Sequence, residues 1–334
     1  MTLAARLLPA LLLLLSYAGC SRSGPAAGDA AKDLKPAGGP RFISVGTAPP
    51  GGAFFVVGGA LAEVISEKKG DRAWKVTSEA TMGSQENIRR LTRGELDFAV
   101  SNAAITYFAV RGEGDWTSKQ EVRSVMTLAP NIAFFLAPAK SGVKTIADFR
   151  GKRVVVGPAG SGMEAFIEPL LAAHGVQYRD FTPLHATQTA AVDMLADGSA
   201  VAAFLGGAVP TASITQACSS QDIFFIPFDP AAKAELVNKY PFFNPATIPA
   251  GAYPNRNDDF EALNTGSMHF ITGAGVDEEL VYQVTRTIYE NREAVVAKHA
   301  AGRAINPQNV VRQTGTPFHP GAIRFYREIG IWKE

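Results

Sequence analysis

The sequence has few cysteines and almost no net charge. Two Cys among 334 residues do not provide a disulfide framework, and no cluster of Cys and His has the spacing of a zinc site. Lys and Arg number 32 against 31 Asp and Glu, which argues against binding to nucleic acid or to an acidic membrane surface. A hydrophobic share of 46% excludes a mainly disordered chain, and the length favours two domains.

Catalytic signatures are missing as well. The loop from Gly46 to Ala53 has the glycine spacing of a P-loop, but Gly52 and Ala53 stand where the Lys and the Ser or Thr are needed. There is no Gly-x-Ser-x-Gly elbow, and the five His show no His-Glu-x-x-His pattern. We therefore expect a protein that is not an enzyme and that needs no cofactor or metal.

The first twenty residues have the pattern of a secretory signal. Arg6 precedes the mostly apolar run Leu7–Leu15, which is too short to span a bilayer, and Ala18 and Gly19 lead to Cys20 as at the end of a lipobox. We expect lipid attachment to Cys20, with cleavage after Ala18 as the alternative. Residues 21–40 are rich in Ala, Gly, Pro and Ser and predict a flexible tether. The expected location is periplasmic or otherwise extracytoplasmic, with a lipid anchor at Cys20.

From Arg41 onward, strand patterns alternate with helix patterns. Phe42–Thr47 is a β-rich run, and Phe54–Lys69 has apolar residues at helical spacing. The same order returns later, where Arg153–Val156 predicts a strand and Met163–His174 a helix. Repeated strand–turn–helix units predict an α/β fold with parallel sheets that helices cover on both faces.

Two extended stretches predict where the chain crosses between two such units. Thr127–Pro138 is nearly uncharged and bounded by prolines, and Phe243–Tyr253 contains prolines that prevent a helix. Two crossings make the first lobe discontinuous, with residues 41–132 plus 247–334, and leave residues 133–246 for the second lobe. This arrangement predicts a two-stranded hinge with a cleft that closes around a ligand. Two domains in sequence are the alternative.

Three Gly-rich turns each precede a predicted helix. They are Thr47–Gly52, Thr81–Ser84 and Ala159–Gly162. Free backbone N–H groups at the positive end of a helix dipole bind anions. The turns are also expected at the carboxyl ends of parallel strands, where open α/β sheets bind their ligands. Ser84 and Ser161 either cap their helices or donate to a ligand.

Nine short segments between about Phe42 and Ile331 form a recognisable series. They are Val45–Thr47, Gly51–Phe55, Gly58–Gly59, Gly83–Asn87, Gly151–Val154, Gly160–Gly162, Gly206–Pro210, Thr247–Tyr253 and His319–Arg324. In this order they resemble the TAXI-type solute-binding proteins of TRAP transporters. The resemblance implies a two-lobed, type II-like periplasmic-binding fold with parallel or mixed sheets. It also implies capture of a small organic acid anion, glutamate-like, dicarboxylate or related, and its delivery to the TRAP membrane subunits.

Loop position and resemblance together imply a set of ligand-binding residues. The set is Thr47, Gly51, Gly52, Phe54, Phe55, Ser84, Asn87, Ser101, Asn102, Gly160, Ser161 and Gly162. We expect the first three to hold one end of the solute, the two Phe to stack on it or fill the core, and the last three to clamp it from the second lobe. The Ser and Asn residues between complete the wall of the first lobe.

Three departures from the family pattern concern the solute. Ala53 stands where a small hydroxyl residue is common, Phe54 and Phe55 where a Tyr pair is common, and Asn102 where an Asp is frequent. Fewer hydroxyls beside the first loop make that wall more apolar. We expect a ligand with one carboxylate end and a less polar remainder. The alternative function is a sensor lipoprotein that binds a solute but has no transport partner.

Overall fold

Two β-sheets organise the part of the chain that the structure describes, residues 39–333 of a computed structural model. The predicted signal (residues 1–20), the Cys20 lipidation site and nearly all of the predicted tether (residues 21–40) lie outside these residues. Within residues 39–333, no helix combines the length and the apolar character needed to cross a bilayer.

The described residues form twelve strands and ten α-helices. The strands are β1 (Arg41–Gly46), β2 (Trp74–Glu79), β3 (Phe98–Asn102), β4 (Val122–Thr127), β5 (Ile132–Pro138), β6 (Arg153–Val155), β7 (Thr182–Leu184), β8 (Ala202–Gly207), β9 (Ile223–Phe225), β10 (Phe243–Ile248), β11 (Phe260–Thr265) and β12 (Met268–Gly273). The helices are α1 (Ala53–Glu67), α2 (Ser84–Thr92), α3 (Ala103–Ala109), α4 (Glu164–Ala173), α5 (Gln188–Ala196), α6 (Ala212–Ser220), α7 (Pro230–Lys239), α8 (Glu278–Glu290), α9 (Arg292–Lys298) and α10 (Pro320–Glu328).

The first sheet has five strands in the order β2-β1-β3-β12-β4. β1 is parallel to both β2 and β3, and β12 runs antiparallel between β3 and β4. All residues of the central strand β3 are buried, as expected for a strand that is covered on both faces. α1 buries Val57, Leu61, Val64 and Ile65, so the helical spacing of its apolar residues marks the face that packs on the core.

The second sheet has seven strands. Six follow the order β10-β11-β5-β8-β6-β7, and β9 pairs with β5. β6 is parallel to β7 and β8, whereas β5 is antiparallel to its three neighbours. The predicted α/β architecture with mixed sheets is therefore confirmed. We call the first sheet with its helices the first lobe and the second sheet with its helices the second lobe.

The chain passes between the two sheets twice. The first passage, residues 128–131, joins β4 to β5, and it falls inside the predicted stretch Thr127–Pro138. The second passage lies at residues 266–267, between β11 and β12, and not at the predicted boundary 246/247. The prolines of Phe243–Tyr253 do prevent a helix, but this stretch contains β10, which pairs antiparallel with β11 along its whole length. Pro245 is tolerated because β10 is an edge strand.

Gly266 is required at the second passage. Its φ is +109°, and a Cβ built there would lie 2.3 Å from Oδ1 of Asn102. Only a residue without a side chain fits such a position. The second passage is therefore a tight turn that holds the end of β3 and the start of β12 together.

Candidate functional site

A cavity lies between the two lobes, at the carboxyl ends of β1, β3, β6 and β8. Its volume, taken as the space open to the centre of a water molecule, is about 90 Å³. A single water needs roughly 10–15 Å³ on this measure, so the cavity accommodates several waters or one small solute. Its lining is Ala48, Pro49, Pro50, Gly52, Phe54, Met82, Gly83, Ser84, Asn102, Ile105, Asn131, Ala133, Pro158, Ser161, Met163, Phe166, Thr187, Gln188 and Gly206.

The lobes touch each other around this cavity. The backbone N–H of Gln85, in the first turn of α2, donates to the carbonyl of Ser161 in the second lobe at 3.1 Å. A Cβ on Gly51 would lie 2.5 Å from Oγ1 of Thr189, and a Cβ on Gly162 would lie 3.0 Å from Cβ of Gln85. These contacts show that the cleft is closed in this structure and that glycines allow the loops to approach.

Three hydroxyl groups line the cavity with a proton to donate. Ser84 Oγ accepts from the N–H of Asn102 at 2.9 Å. Ser161 Oγ accepts from the N–H of Met163 at 3.4 Å, and Thr187 Oγ1 accepts from the N–H of Ala190 at 3.3 Å. Each hydroxyl thus uses an oxygen lone pair for the backbone, and none of the three has an acceptor for its proton within residues 39–333. They come from both lobes, which suits a ligand that is held by lobe closure.

Two amide side chains of the lining are already committed. Asn102 Oδ1 accepts from the N–H of Ala104 at 2.8 Å, and its Nδ2 donates to the carbonyl of Gly266 at 2.9 Å. Gln188 Nε2 donates to the carbonyl of Gly206 at 2.8 Å, and its Oε1 accepts from Oγ of Ser213 at 2.7 Å. These side chains hold the cavity wall in place, and Gln188 Nε2 keeps one hydrogen that no described residue accepts.

No charged side chain lines the cavity among the residues that the structure describes. α1 begins beside the cavity, directly after Gly52, and its N-terminus is the positive end of the helix dipole. Gly52 has an extended backbone and makes no side-chain cap, and the first turn contains no acidic residue. This end of α1 lies at the cavity, where Gly52 and Phe54 are lining residues, and no carboxylate of its first turn offsets the dipole. The groups that the described lining offers to a ligand are therefore neutral dipoles.

Five of the twelve predicted site residues line the cavity: Gly52, Phe54, Ser84, Asn102 and Ser161. The Gly-rich turns led to Gly52, Ser84 and Ser161, because each turn follows a strand and opens a helix. Phe54 and Asn102 are predicted from the family resemblance and, for Asn102, from its place at the end of a strand. Phe55 lies elsewhere, in a surface groove with Val76 and Lys298. Of the remaining glycines, Gly51 and Gly160 are exposed and Gly162 is buried against the other lobe.

Three predicted polar residues lie outside the cavity and hold the structure beneath it. Asn87 Nδ2 donates to the carbonyls of Thr47 and Val100 at 2.7 and 2.8 Å. The hydroxyl of Thr47 donates to the carbonyl of Glu79 at 2.8 Å. Ser101 Oγ is 2.8 Å from Oγ1 of Thr106. These hydrogen bonds link the ends of β1, β2 and β3 and connect β3 to α3, and the three residues are not part of the cavity lining in this structure.

Sequence reasoning missed several lining residues. Thr187 and Gln188 follow β7 and open α5, so the strand–turn–helix rule that led to Ser161 applied to them as well. Met82 and Met163 lie next to glycines of the predicted turns. Asn131 has no local signal, since its position depends on the passage between the sheets.

Comparison with solved structures gives the fold. The binding protein component of an ABC phosphonate transporter from Pseudomonas aeruginosa matches with 10% identity over 79% of each chain and a TM-score of 0.53. A protein described as a periplasmic transporter matches with 14% identity, over 86% of this chain and 92% of its own, and a TM-score of 0.50. The alkanesulfonate-binding protein of Xanthomonas axonopodis pv. citri has 18% identity, coverage of 87% and 85%, and a TM-score of 0.47.

A family model gives the classification. The model of the NMT1-like family matches residues 45–330, a range that begins within β1 and extends past α10. This range contains both lobes, both passages between them and every residue of the cavity lining. The chain therefore belongs to the NMT1-like family and has the two-lobed fold of periplasmic binding proteins.

Proposed function

We propose that this protein is an extracytoplasmic solute-binding protein that encloses a small organic acid anion between its lobes and delivers it to a membrane transporter. The observation that carries the proposal is the closed cavity, which presents hydroxyl groups from both lobes and the start of α1. Membership of the NMT1-like family and the shared fold with named periplasmic binding proteins support it.

A carboxylate suits this cavity better than a cation does. Hydroxyl protons and helix N-terminal N–H groups are donors, and each charge-assisted hydrogen bond contributes about 1.5–3 kcal/mol before ordering costs. A few such bonds reach micromolar affinity, about −8 kcal/mol. The rest of the wall is apolar, with Phe54, Ile105, Met163 and Phe166. This composition supports a ligand with one carboxylate end and a less polar remainder.

The proposed partner is the membrane subunit pair of a TRAP transporter, on the basis of the family resemblance in the loops. An ABC permease is the second candidate, because the phosphonate-binding neighbour belongs to that kind of transporter. Reconstitution in proteoliposomes separates them. Uptake that depends on an ion gradient and not on ATP supports TRAP, and uptake that requires ATP supports ABC. Capture by a membrane receptor without uptake supports the sensor alternative.

Anchoring through Cys20 belongs to the same proposal. Mass spectrometry of the membrane-extracted protein is expected to show a lipid-modified N-terminal Cys20. The substitution Cys20→Ser is expected to release the protein from the membrane fraction. A mature N-terminus at Gly19 would show cleavage after Ala18 and reject the anchor.

Removal of one hydroxyl donor tests ligand binding in the cavity. We expect Ser161→Ala to weaken carboxylate binding by about tenfold or more, since a charge-assisted hydrogen bond is lost. The measurement is isothermal titration with the ligand that native mass spectrometry finds in the purified protein. Ser220→Ala is the matched control, because Ser220 lies in the same lobe, is exposed and donates only within its own helix. Equal affinity of the Ser161→Ala protein and the control would remove Ser161 from the site.

A further inference from the structure

Asn131 lies on the first passage between the lobes and lines the cavity with 6% of its surface exposed. Its backbone N–H donates to Oδ1 of Asn264 at 3.1 Å, and its carbonyl accepts from the N–H of Thr265 at 2.9 Å. Its Nδ2 donates to Oγ1 of Thr265 at 3.0 Å. Its backbone N–H, its carbonyl and one of the two hydrogens on Nδ2 are therefore committed to β11.

The orientation of this amide follows from the same contacts. The hydroxyl of Thr265 donates its only proton to the carbonyl of Asn131, at 3.2 Å. Thr265 Oγ1 is then an acceptor toward the side chain, so the atom that faces it is Nδ2 and not Oδ1. Within the described residues, Oδ1 accepts no hydrogen bond. Asn131 as a residue is more than nine-tenths buried and lines the cavity, so a water or a ligand in the cavity is what can satisfy this acceptor.

The cavity thus offers two opposite kinds of group. Ser84, Ser161 and Thr187 present protons, which need an acceptor on the ligand. Asn131 presents an acceptor, which needs a proton on the ligand. A buried acceptor that loses its partner costs about 1–3 kcal/mol, so a ligand that brings a donor to Asn131 is favoured over one that does not.

Charge and volume restrict what that donor can be. An ammonium group would be enclosed without a counter-ion, because the described lining contains no carboxylate, and such burial is strongly unfavourable. A second carboxylate would need donors beyond those counted above, in a volume of about 90 Å³. We propose that the ligand is a small monocarboxylate that carries a neutral donor, as a hydroxy acid does, and that Asn131 recognises the hydroxyl group. This inference rests on the proposed function and specifies its substrate class.

A series of four-carbon acids tests the inference on the unaltered, ligand-free protein. We expect 2-hydroxybutyrate to bind at least about tenfold more tightly than butyrate, 2-aminobutyrate or malate in isothermal titration. Equal binding of butyrate and 2-hydroxybutyrate would reject the role of Asn131 and leave the proposed function standing. Preference for malate or 2-aminobutyrate would reject the substrate class. If none of the four acids bound, this inference would fail, and the proposed function would fail with it only if native mass spectrometry of the purified protein also found no bound organic acid.

The variant Asn131→Asp tests the residue itself. A carboxylate at this position repels an anion but pairs with an ammonium group, so the ratio of 2-hydroxybutyrate to 2-aminobutyrate affinity is expected to fall at least about tenfold. Asn264→Asp is the matched control, because it adds the same charge to a neighbouring buried Asn that does not line the cavity. Thermal melting without ligand verifies that both variants fold. An unchanged ratio in Asn131→Asp, or the same change in both variants, would overturn the assignment.

Discussion

Burial in the protein interior changes the pKa of one histidine strongly. His269, on β12, is completely buried, and its Nε2 lies 2.7 Å from Oγ1 of Thr314. Its Nδ1 has no hydrogen-bond partner within the described residues. Burial, and secondarily the charge of Arg312, lowers the pKa of His269 to about 3. The imidazole is therefore neutral in the folded protein and becomes charged in the unfolded chain near pH 6.5.

This difference predicts acid sensitivity. A lowered pKa contributes stability that is complete above about pH 6.5 and is lost as the pH falls toward 3, because the unfolded chain binds the proton first. We expect His269 alone to remove roughly 3 kcal/mol of unfolding free energy at pH 4 relative to pH 7. Urea unfolding of the wild type and of His269→Gln at pH 4 and at pH 7 measures this loss of unfolding free energy. His269→Gln should lose less unfolding free energy between pH 7 and pH 4 than the wild type does. The control His185→Gln, at a half-exposed position, should lose as much as the wild type.

At the scale of elements, the turn before α4 contains a matched pair of glycines. Gly160 and Gly162 both have positive φ, +72° and +82°. A Cβ on Gly160 would meet nothing within 4 Å, whereas a Cβ on Gly162 would lie 3.0 Å from Cβ of Gln85 and 3.2 Å from Cγ2 of Ile105. The two positions share the same backbone cost for alanine but differ in contact with the other lobe.

Alanine at these two positions is therefore expected to affect closure of the lobes differently. Gly162→Ala is expected to separate the lobes at this turn and weaken ligand binding by about tenfold or more, since the closed state must absorb a steric clash. Gly160→Ala is expected to lower stability slightly and leave affinity unchanged. Titration measures affinity, and small-angle scattering measures the radius of gyration with and without ligand. Equal affinities of the two variants would contradict a closure role for Gly162.

The sequence predicts the secondary-structure elements better than it predicts which elements pair in a sheet. Alternation of strands and helices is local, and turns that follow strands lead to Gly52, Ser84 and Ser161 on the cavity wall. Which sheet a strand joins depends on residues that are distant in the sequence. An extended stretch with prolines is equally compatible with a hinge or an edge strand, and pairing with β11 makes Phe243–Ile248 an edge strand. Asn131 joins the site for the same non-local reason, because contacts with β11 orient its side chain.

At the scale of the whole molecule, the lobes also meet outside the ligand cavity. Asp115 and Trp116 of the first lobe and Glu168 of α4 line a second space of about 180 Å³. Partial desolvation, and then the charges of Asp115 and Glu164, raise the pKa of Glu168. Closure therefore brings like charges from the two lobes together. Their repulsion opposes the closed state when both carboxylates are ionised.

Other ionisable groups surround Glu168 without neutralising it. Burial, followed by the charges of Glu164, Glu168 and Asp115, raises the pKa of Tyr178, so its phenol stays uncharged. Tyr240 of the segment after α7 lines the same space. His185 lies 3.7 Å from Glu164 and faces that carboxylate. Of the two carboxylates whose charges raise the pKa of Glu168, Asp115 is the one that comes from the opposite lobe.

The repulsion predicts that ligand affinity depends on pH. Separation of the lobes exposes Glu168 to water and removes Asp115, so the pKa of Glu168 falls back toward 4.5 and the closed state binds the proton more tightly than the open one. Affinity is therefore expected to rise as the pH falls toward 4.5 and to level off at neutral pH. Glu168→Gln should bind a few-fold more tightly at pH 7 and lose this pH dependence, and Asp115→Asn should reduce it, because desolvation of Glu168 remains. Glu235→Gln, on the exposed side of α7, should keep the wild-type pH dependence. Isothermal titration across this range measures the effect. A slope that persists in Glu168→Gln would mean that another group couples closure to the proton.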